Sequence, residues 1–240
     1  MGTIQENTRK WKNITRLLLL VTLLLSILFI IIRIAQAPTK PPDTGQFIKV
    51  KSDYVLTLLQ CCLGIVVMRI PAFIERKKAI DIPDMMEIIY FLFLFCAIYL
   101  GEVHNFYYLV PYWDNILHAF SGAMLGAMGI ISVTLLNDEK HLNVKLSPFF
   151  IVFFGFCFAL TAGTIWEIYE FLADGILSLN MQKFILANGS ILVGREALSD
   201  TMMDLIVDAL SALLVSVIGY FNLKKQKRHE FQDKKRIIRV

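Results

Sequence analysis

Between Arg16 and Arg33 the chain reads LLLLVTLLLSILFIII, an uncharged run whose only polar side chains are Thr22 and Ser26. A helix over Leu17–Ile34 is about 27 Å long at about 1.5 Å per residue, close to the hydrocarbon thickness of a bilayer. Five further apolar runs follow, at Tyr54–Phe73, Met86–Leu100, Asn115–Leu136, Pro148–Phe171 and Met202–Phe221. None alternates like a strand or shows an amphipathic period. In hydrocarbon every backbone polar group must be satisfied internally, so unalternated runs of this length predict helices. The expected fold is an all-α, polytopic transmembrane bundle of about six spans.

Composition agrees. Of 240 residues, 56% are hydrophobic and 18% charged, against about 25% charged in soluble domains. The polar stretches between runs are too short to bury cores of their own. The expected organisation is one integral membrane domain over residues 1–240, with a basic cytoplasmic tail at 222–240. The net charge of +4 comes from that tail, which reads as a topology anchor touching anionic headgroups. Membrane lipids are the expected partners, and nucleic acid is not.

Basic residues precede the first run, and Ala35-Gln36-Ala37 at its end mimics a signal-peptidase site. The length of the run, the charge of Arg33 and the proline at position 38 argue that this helix is retained. Ala37–Gly45 (APTKPPDTG) is then an extended, proline-stiffened loop. Of 24 Lys and Arg residues, 18 fall in the N-terminal arm, the second and fourth inter-span loops and the tail. The alternation predicts that both termini are cytoplasmic. Asn188-Gly189 in the long segment before the last run is a turn signal. Cys61, Cys62, Cys96 and Cys157 lie within apolar runs without metal-ligand spacing and read as buried thiols.

Charges inside the runs concentrate in the last three. The fourth begins with Asp114 and His118, the fifth ends with Glu167 and Glu170, and the sixth carries Asp200, Asp204 and Asp208. Spacings of three and four put each set on one helix face. The predicted topology puts all of them in the outer half of the membrane, with Asp204 about 6 Å and Asp208 about 12 Å deeper than Asp200. An aspartate at the centre of a lipid-facing helix costs about 2.5–3.5 kcal/mol, so the three faces are expected to converge on a pocket. Carboxylates gathered there must share protons or a cation. Gly122 and Gly126 form a G-x-x-x-G that lets the fourth helix pack closely against the fifth or sixth. Trp113 and Trp166, with Tyr107, Tyr108 and Tyr112, read as an interfacial aromatic belt. Asp200 beside Thr201 reads as an N-cap.

The pattern Trp113, Asp114, His118, Gly122, then Trp166, Glu167, Glu170, then Asp200, Thr201, Asp204 resembles that of the YjdF-type bacterial inner-membrane proteins, a family with a domain of unknown function. The likeness covers Trp113 to Ala212 and implies a bacterial plasma-membrane location, but no reaction. A fainter likeness links a histidine early in one helix, with Arg195 and Asp200 before the last, to VanZ-like membrane proteins.

Three function classes follow. A divalent metal ion held by His118, Glu167, Glu170, Asp200 and Asp204, with Asp114, Asp208 and Arg195 in support, suits an oxygen-rich site with one imidazole. Such a site can bind or hydrolyse a lipid-linked headgroup, with His118, Glu167 and Asp204 as the catalytic candidates and His118 alternatively a general base. No serine nucleophile motif, Cys–His pairing or phosphate-binding glycine loop is present. A proton- or cation-coupled transporter would use the same residue types, yet the inner halves of these runs carry no matching path and no inverted repeat is visible. A structural or regulatory membrane protein would use them as interhelical hydrogen-bond partners, although carboxylates repel unless bridged. The topology is checked with a C-terminal reporter: a fluorescent-protein fusion is expected to glow and an alkaline-phosphatase fusion to be inactive, and the reverse result overturns the depth argument.

Overall fold

The computed structural model describes residues 2–39, 49–78, 82–138, 146–177, 179–186 and 190–237, with backbone alone at 2–4 and 230–237. Most of the proline-stiffened loop, Lys140, Lys145 and the Asn188-Gly189 turn lie outside the described residues. The described chain is helical: α1 Gly2–Gln36, α2 Lys51–Val67, α3 Ile70–Lys78, α4 Asp84–Leu94, α5 Phe106–Leu109, α6 Trp113–Asp138, α7 Pro148–Leu177 and α8 Arg195–Ile237. α4 continues as a π-helix over Phe95–Val103. Among the described residues six segments are long and apolar enough to cross a membrane: Gln5–Gln36, Lys51–Lys77, Asp84–Val103, Trp113–Leu136, Pro148–Leu177 and Arg195–His229. Among the described residues the only extended pairing is an isolated antiparallel bridge, Ile185 to Ile191. Leu17, Leu18, Leu24, Leu25 and Leu28 are all exposed along α1, a surface that suits lipid and would be a liability in water.

The chain divides into two compact units. The first comprises Met1–Trp113 with Leu186–Ser190. Its core joins Leu19, Leu23 and Ile30 of α1 to Cys61 of α2, Met68 just beyond it, and Phe91 and Leu94 of α4. At one end Lys12 Nζ lies 2.5 Å from Asp84 Oδ1 and 2.7 Å from Glu87 Oε1. These carboxylates are in the first turn of α4, where negative charge also complements the helix dipole.

The second apolar run is broken at Met68–Arg69 into α2 and α3. The cause is Pro71, which has no N–H to offer the Val67 carbonyl one turn earlier. Tyr90 of α4 supplies the missing donor, its hydroxyl 2.9 Å from Val67 O. Lys49 does similar service at the end of the π-helix, donating to Glu102 O at 2.5 Å and to Thr57 Oγ1 at 3.2 Å.

The second unit comprises Asp114–Ile185 and Ile191–Val240. Ile130 and Val133 of α6 pack with Ile151 and Val152 of α7, covered by Val215, Tyr220 and Leu223 of α8. Glycines set the spacing. A Cβ on Gly129 would come within 2.8 Å of Gly155 Cα, so α6 and α7 touch backbone to backbone there. Gly126 meets α8 at Ala212, whose Cα would lie 3.5 Å from an added Cβ. α8 continues unbroken from Arg195 into the basic stretch as far as Ile237, with Lys227 Nζ donating to Leu146 O at 3.0 Å.

Removing the Tyr90 hydroxyl leaves the Val67 carbonyl without its donor. Tyr90→Phe is expected to lower stability by about 1–2 kcal/mol, read from thermal unfolding in detergent micelles. Unchanged stability would show that another donor replaces the tyrosine.

Candidate metal centre

The second unit is built in steps of four residues. α6 crosses α8 where Gly122 meets the backbone of Asp208: a Cβ at 122 would lie 2.9 Å from Asp208 O and 3.0 Å from its Cα, and would collide with Ser211 Oγ. On the other side, a Cβ at Gly163 of α7 would collide with the Asp208 carboxylate, 3.2 Å from its Cγ. Asp208 therefore occupies the space left by two absent side chains. Gly126 meets Ala212 one turn further on, so α6 and α8 run in parallel register, 122 with 208 and 126 with 212.

Four residues back from each contact come His118 on α6 and Asp204 on α8; four residues on along α7 comes Glu167. All three are buried, at 6%, 1% and 4% exposure. Another four residues bring Asp114 and Asp200. The spacing seen in the sequence thus becomes successive levels, each about 6 Å from the next.

His118 is the hub. Its Nδ1 lies 3.3 Å from Asp208 Oδ2. Its Nε2 lies 3.7 Å from Glu167 Oε1, 3.9 Å from Asp114 Oδ1 and 4.0 Å from Asp204 Oδ2. An Nδ1–H donated to Asp208 leaves the Nε2 lone pair facing three carboxylates, the arrangement by which a carboxylate orients a metal-ligating histidine from behind. Ser121 buttresses this side, donating to His118 O at 3.0 Å and lying 3.4 Å from Asp208 Oδ1. Asn115 Nδ2 donates to Asp204 Oδ1 at 3.0 Å.

Glu167 is the unexplained member. Both its carboxylate oxygens are buried and make no close hydrogen bond, with the Thr201 side chain a weak polar neighbour. A buried, unpaired carboxylate is costly. Among the described residues two groups could hold a metal ion, His118 with Glu167 and Asp204, and Asp114 with Asp200 and Asp204; within each, one ligand atom per residue lies within 4.8 Å of the others. Atoms sharing one ion at bond lengths of about 2.1 Å sit about 3.0–3.4 Å apart, so His118 Nε2, at 3.7 Å from Glu167 and 4.0 Å from Asp204, must draw nearer to both by about 0.3–1.0 Å.

The remaining expected members fall elsewhere. Glu170 is buried, but its Oε1 accepts from Trp166 Nε1 at 3.0 Å, and it belongs to neither group. Trp166 is half exposed, so its indole serves that bond while its body faces outward. Asp200 is not a helix cap: α8 begins at Arg195, after Gly194 turns the chain with φ +61°. Arg195 is exposed and makes no ion pair among the described residues. Exposure rises along the levels, from 2% for the Asp208 side chain to 21% for that of Asp114.

Sequence reasoning passed over Asn115, Ser121, Gly163 and Asp174. Asp174 is buried and accepts from the backbone N–H groups of Met181 at 2.7 Å and Gln182 at 2.9 Å. Gln182 Nε2 in turn donates to Thr201 Oγ1 at 2.8 Å, which ties the segment after α7 to α8 one turn from Asp204. A short polar residue within one turn of a candidate ligand was the available signal for Asn115 and Ser121. Nothing marked Gly163, because its role is to leave room.

An uncharacterized protein of Thermotoga maritima is 28% identical over 156 residues, which make up 62% of this chain and 69% of that protein. No solved structure matches the chain. The family described as "Predicted membrane protein (DUF2238)" matches residues 14–225. With nearly its whole length matched, and its helices long and apolar enough to span a bilayer, the chain belongs to this family of predicted membrane proteins.

Proposed function

We propose that the protein binds a divalent metal ion between His118 Nε2, Glu167 and Asp204, and that this centre binds or hydrolyses a lipid-linked headgroup. The observation that carries the reading is Glu167, buried with neither oxygen in a close hydrogen bond, beside a histidine whose other nitrogen faces Asp208. A cation is the one partner that satisfies Glu167, Asp204 and the Nε2 lone pair together. Glu170, bonded to Trp166, is then a neighbour rather than a ligand.

The distribution of Lys and Arg supports cytoplasmic termini and an outward-facing Asp114–Asp200 level. The likeness to YjdF-type proteins supports a bacterial plasma membrane. On that placement the centre lies near the headgroups of the outer leaflet. A bound divalent ion would supply Lewis-acid polarisation of an ester or phosphate oxygen. The chain's own part is to orient His118 through Asp208, to hold Asp204 through Asn115, and to exclude bulk water at the deeper levels. A transmembrane relay fits less well, because no acidic or basic side chain lies on α8 between Asp208 and Lys224, on α6 between His118 and Asp138, or on α7 before Glu167.

The reading is tested by metal analysis of detergent-purified protein. Stoichiometric divalent metal is expected, and Glu167→Gln with Asp204→Asn is expected to abolish it. Adding the metal back to stripped protein at one hundred times its Kd is expected to raise stability by about 2.7 kcal/mol, seen as a higher Tm. Fully stable wild-type protein that neither carries nor responds to a divalent metal overturns the proposal.

A further inference from the structure

We infer that Thr201 is the positioning residue for Glu167: its hydroxyl, aimed by Gln182, donates to the carboxylate and sets it for the ion. This rests on the metal-binding reading above. Two of the three proposed ligands have a supporting side chain. Asp208 stands behind His118 at 3.3 Å, and Asn115 holds Asp204 at 3.0 Å. Ligating carboxylates are themselves hydrogen-bonded as a rule, so Glu167 calls for a donor of its own.

Thr201 stands where that donor is needed. It lies three residues before Asp204, on the same face of α8, and its side chain is a weak polar neighbour of Glu167. Gln182 Nε2 donates to Thr201 Oγ1 at 2.8 Å. An amide nitrogen only donates, so the threonine oxygen accepts there and keeps its own proton for another acceptor. An ionised Glu167 is an acceptor only. Thr22, Thr57, Thr134 and Thr164 each donate to a carbonyl three or four residues back in their own helix. Thr201 differs in being met by a donor from another segment. Hydrogen bonds of this kind are often long in the unliganded site and tighten in the complex.

Gln182 is itself anchored. Asp174 lies seven residues beyond Glu167, about two turns along the same face of α7. It is buried and accepts from the backbone N–H groups of Met181 at 2.7 Å and Gln182 at 2.9 Å. Asn180 closes the same segment, donating to Ile185 O at 2.7 Å and accepting from Ile185 N–H at 2.8 Å. One helix thus carries the ligand and also fixes the loop that orients the hydroxyl. The threonine beside Asp200 gains a role that capping does not give it, because α8 already begins at Arg195.

The test titrates chelator-stripped, full-length protein in micelles with Mn²⁺ and reads Kd and stoichiometry by equilibrium dialysis. Thr201→Val keeps the shape and loses the hydroxyl. It is expected to weaken Mn²⁺ binding by about 10–100-fold with the number of ions per chain at saturation unchanged. Thr201→Ser should restore wild-type affinity, which a purely structural role for the side chain does not predict. Thr201→Ala serves if the valine variant does not fold, with the same loss expected. Gln182→Met keeps the length without the donor and should weaken binding by a smaller factor. Wild-type affinity in the valine or alanine variant, or an equal loss in the serine variant, overturns the role of Thr201 and leaves the metal-binding reading standing. Unchanged affinity in Gln182→Met overturns the relay from the loop. Wild-type protein that binds no Mn²⁺ overturns the metal centre and the positioning role with it.

Discussion

A carboxylate cannot be left facing hydrocarbon, and the second unit is arranged around meeting that constraint at Asp208. The residue sits deepest in the cluster, between Gly122 and Gly163, where neither neighbouring helix carries a side chain. That vacancy lets α6, α7 and α8 close around it and puts its oxygen against His118 Nδ1. Once this level is set, helical geometry repeats it: a step of four residues on each helix brings Glu167 and Asp204 to His118, and a further step on α6 and α8 brings Asp114 and Asp200. The glycines therefore matter to the chemistry as much as the acids do.

The first unit meets a related constraint on its backbone. Pro71 breaks the helical ladder inside an apolar run, where no water is at hand to satisfy the orphaned carbonyl, and the Tyr90 hydroxyl takes it instead. The π-helix of Phe95–Val103 ends on Lys49, which binds the Glu102 carbonyl. Its Gly101 leaves room for the ring of Tyr107. In both units a polar side chain from elsewhere replaces what solvent would supply in a soluble protein.

Much of this was legible because hydrocarbon imposes a coarse code. Long uncharged runs yield membrane-length helices, and acids spaced by four yield one face. The code says nothing of register between helices, which decided the fate of individual residues. Glu170 shares a face with Glu167 by spacing, yet Trp166, four residues before it, captures its carboxylate. Asp200 looked like a cap because the apolar run starts at Met202, but the helix begins earlier, at Arg195, where the sequence is still polar. The break before Pro71 follows from a known steric rule that an uninterrupted apolar run disguises. The π-helix has no composition of its own, since it depends on one extra residue per turn being accommodated by neighbours.

The choice between shared protons and a bound cation turns on Glu167. A proton on one of its oxygens creates an O–H donor, which itself requires an acceptor at hydrogen-bond distance, and neither oxygen makes a close hydrogen bond. His118 Nε2 lies 3.7 Å from Oε1, too far for a hydrogen bond but suited to two ligands on either side of an ion. Protonating His118 instead places one positive charge among Asp114, Glu167, Asp204 and Asp208, which offsets one of them. On the proposed reading a multivalent cation would meet the geometry and the charge together, because it attracts every lone pair at once.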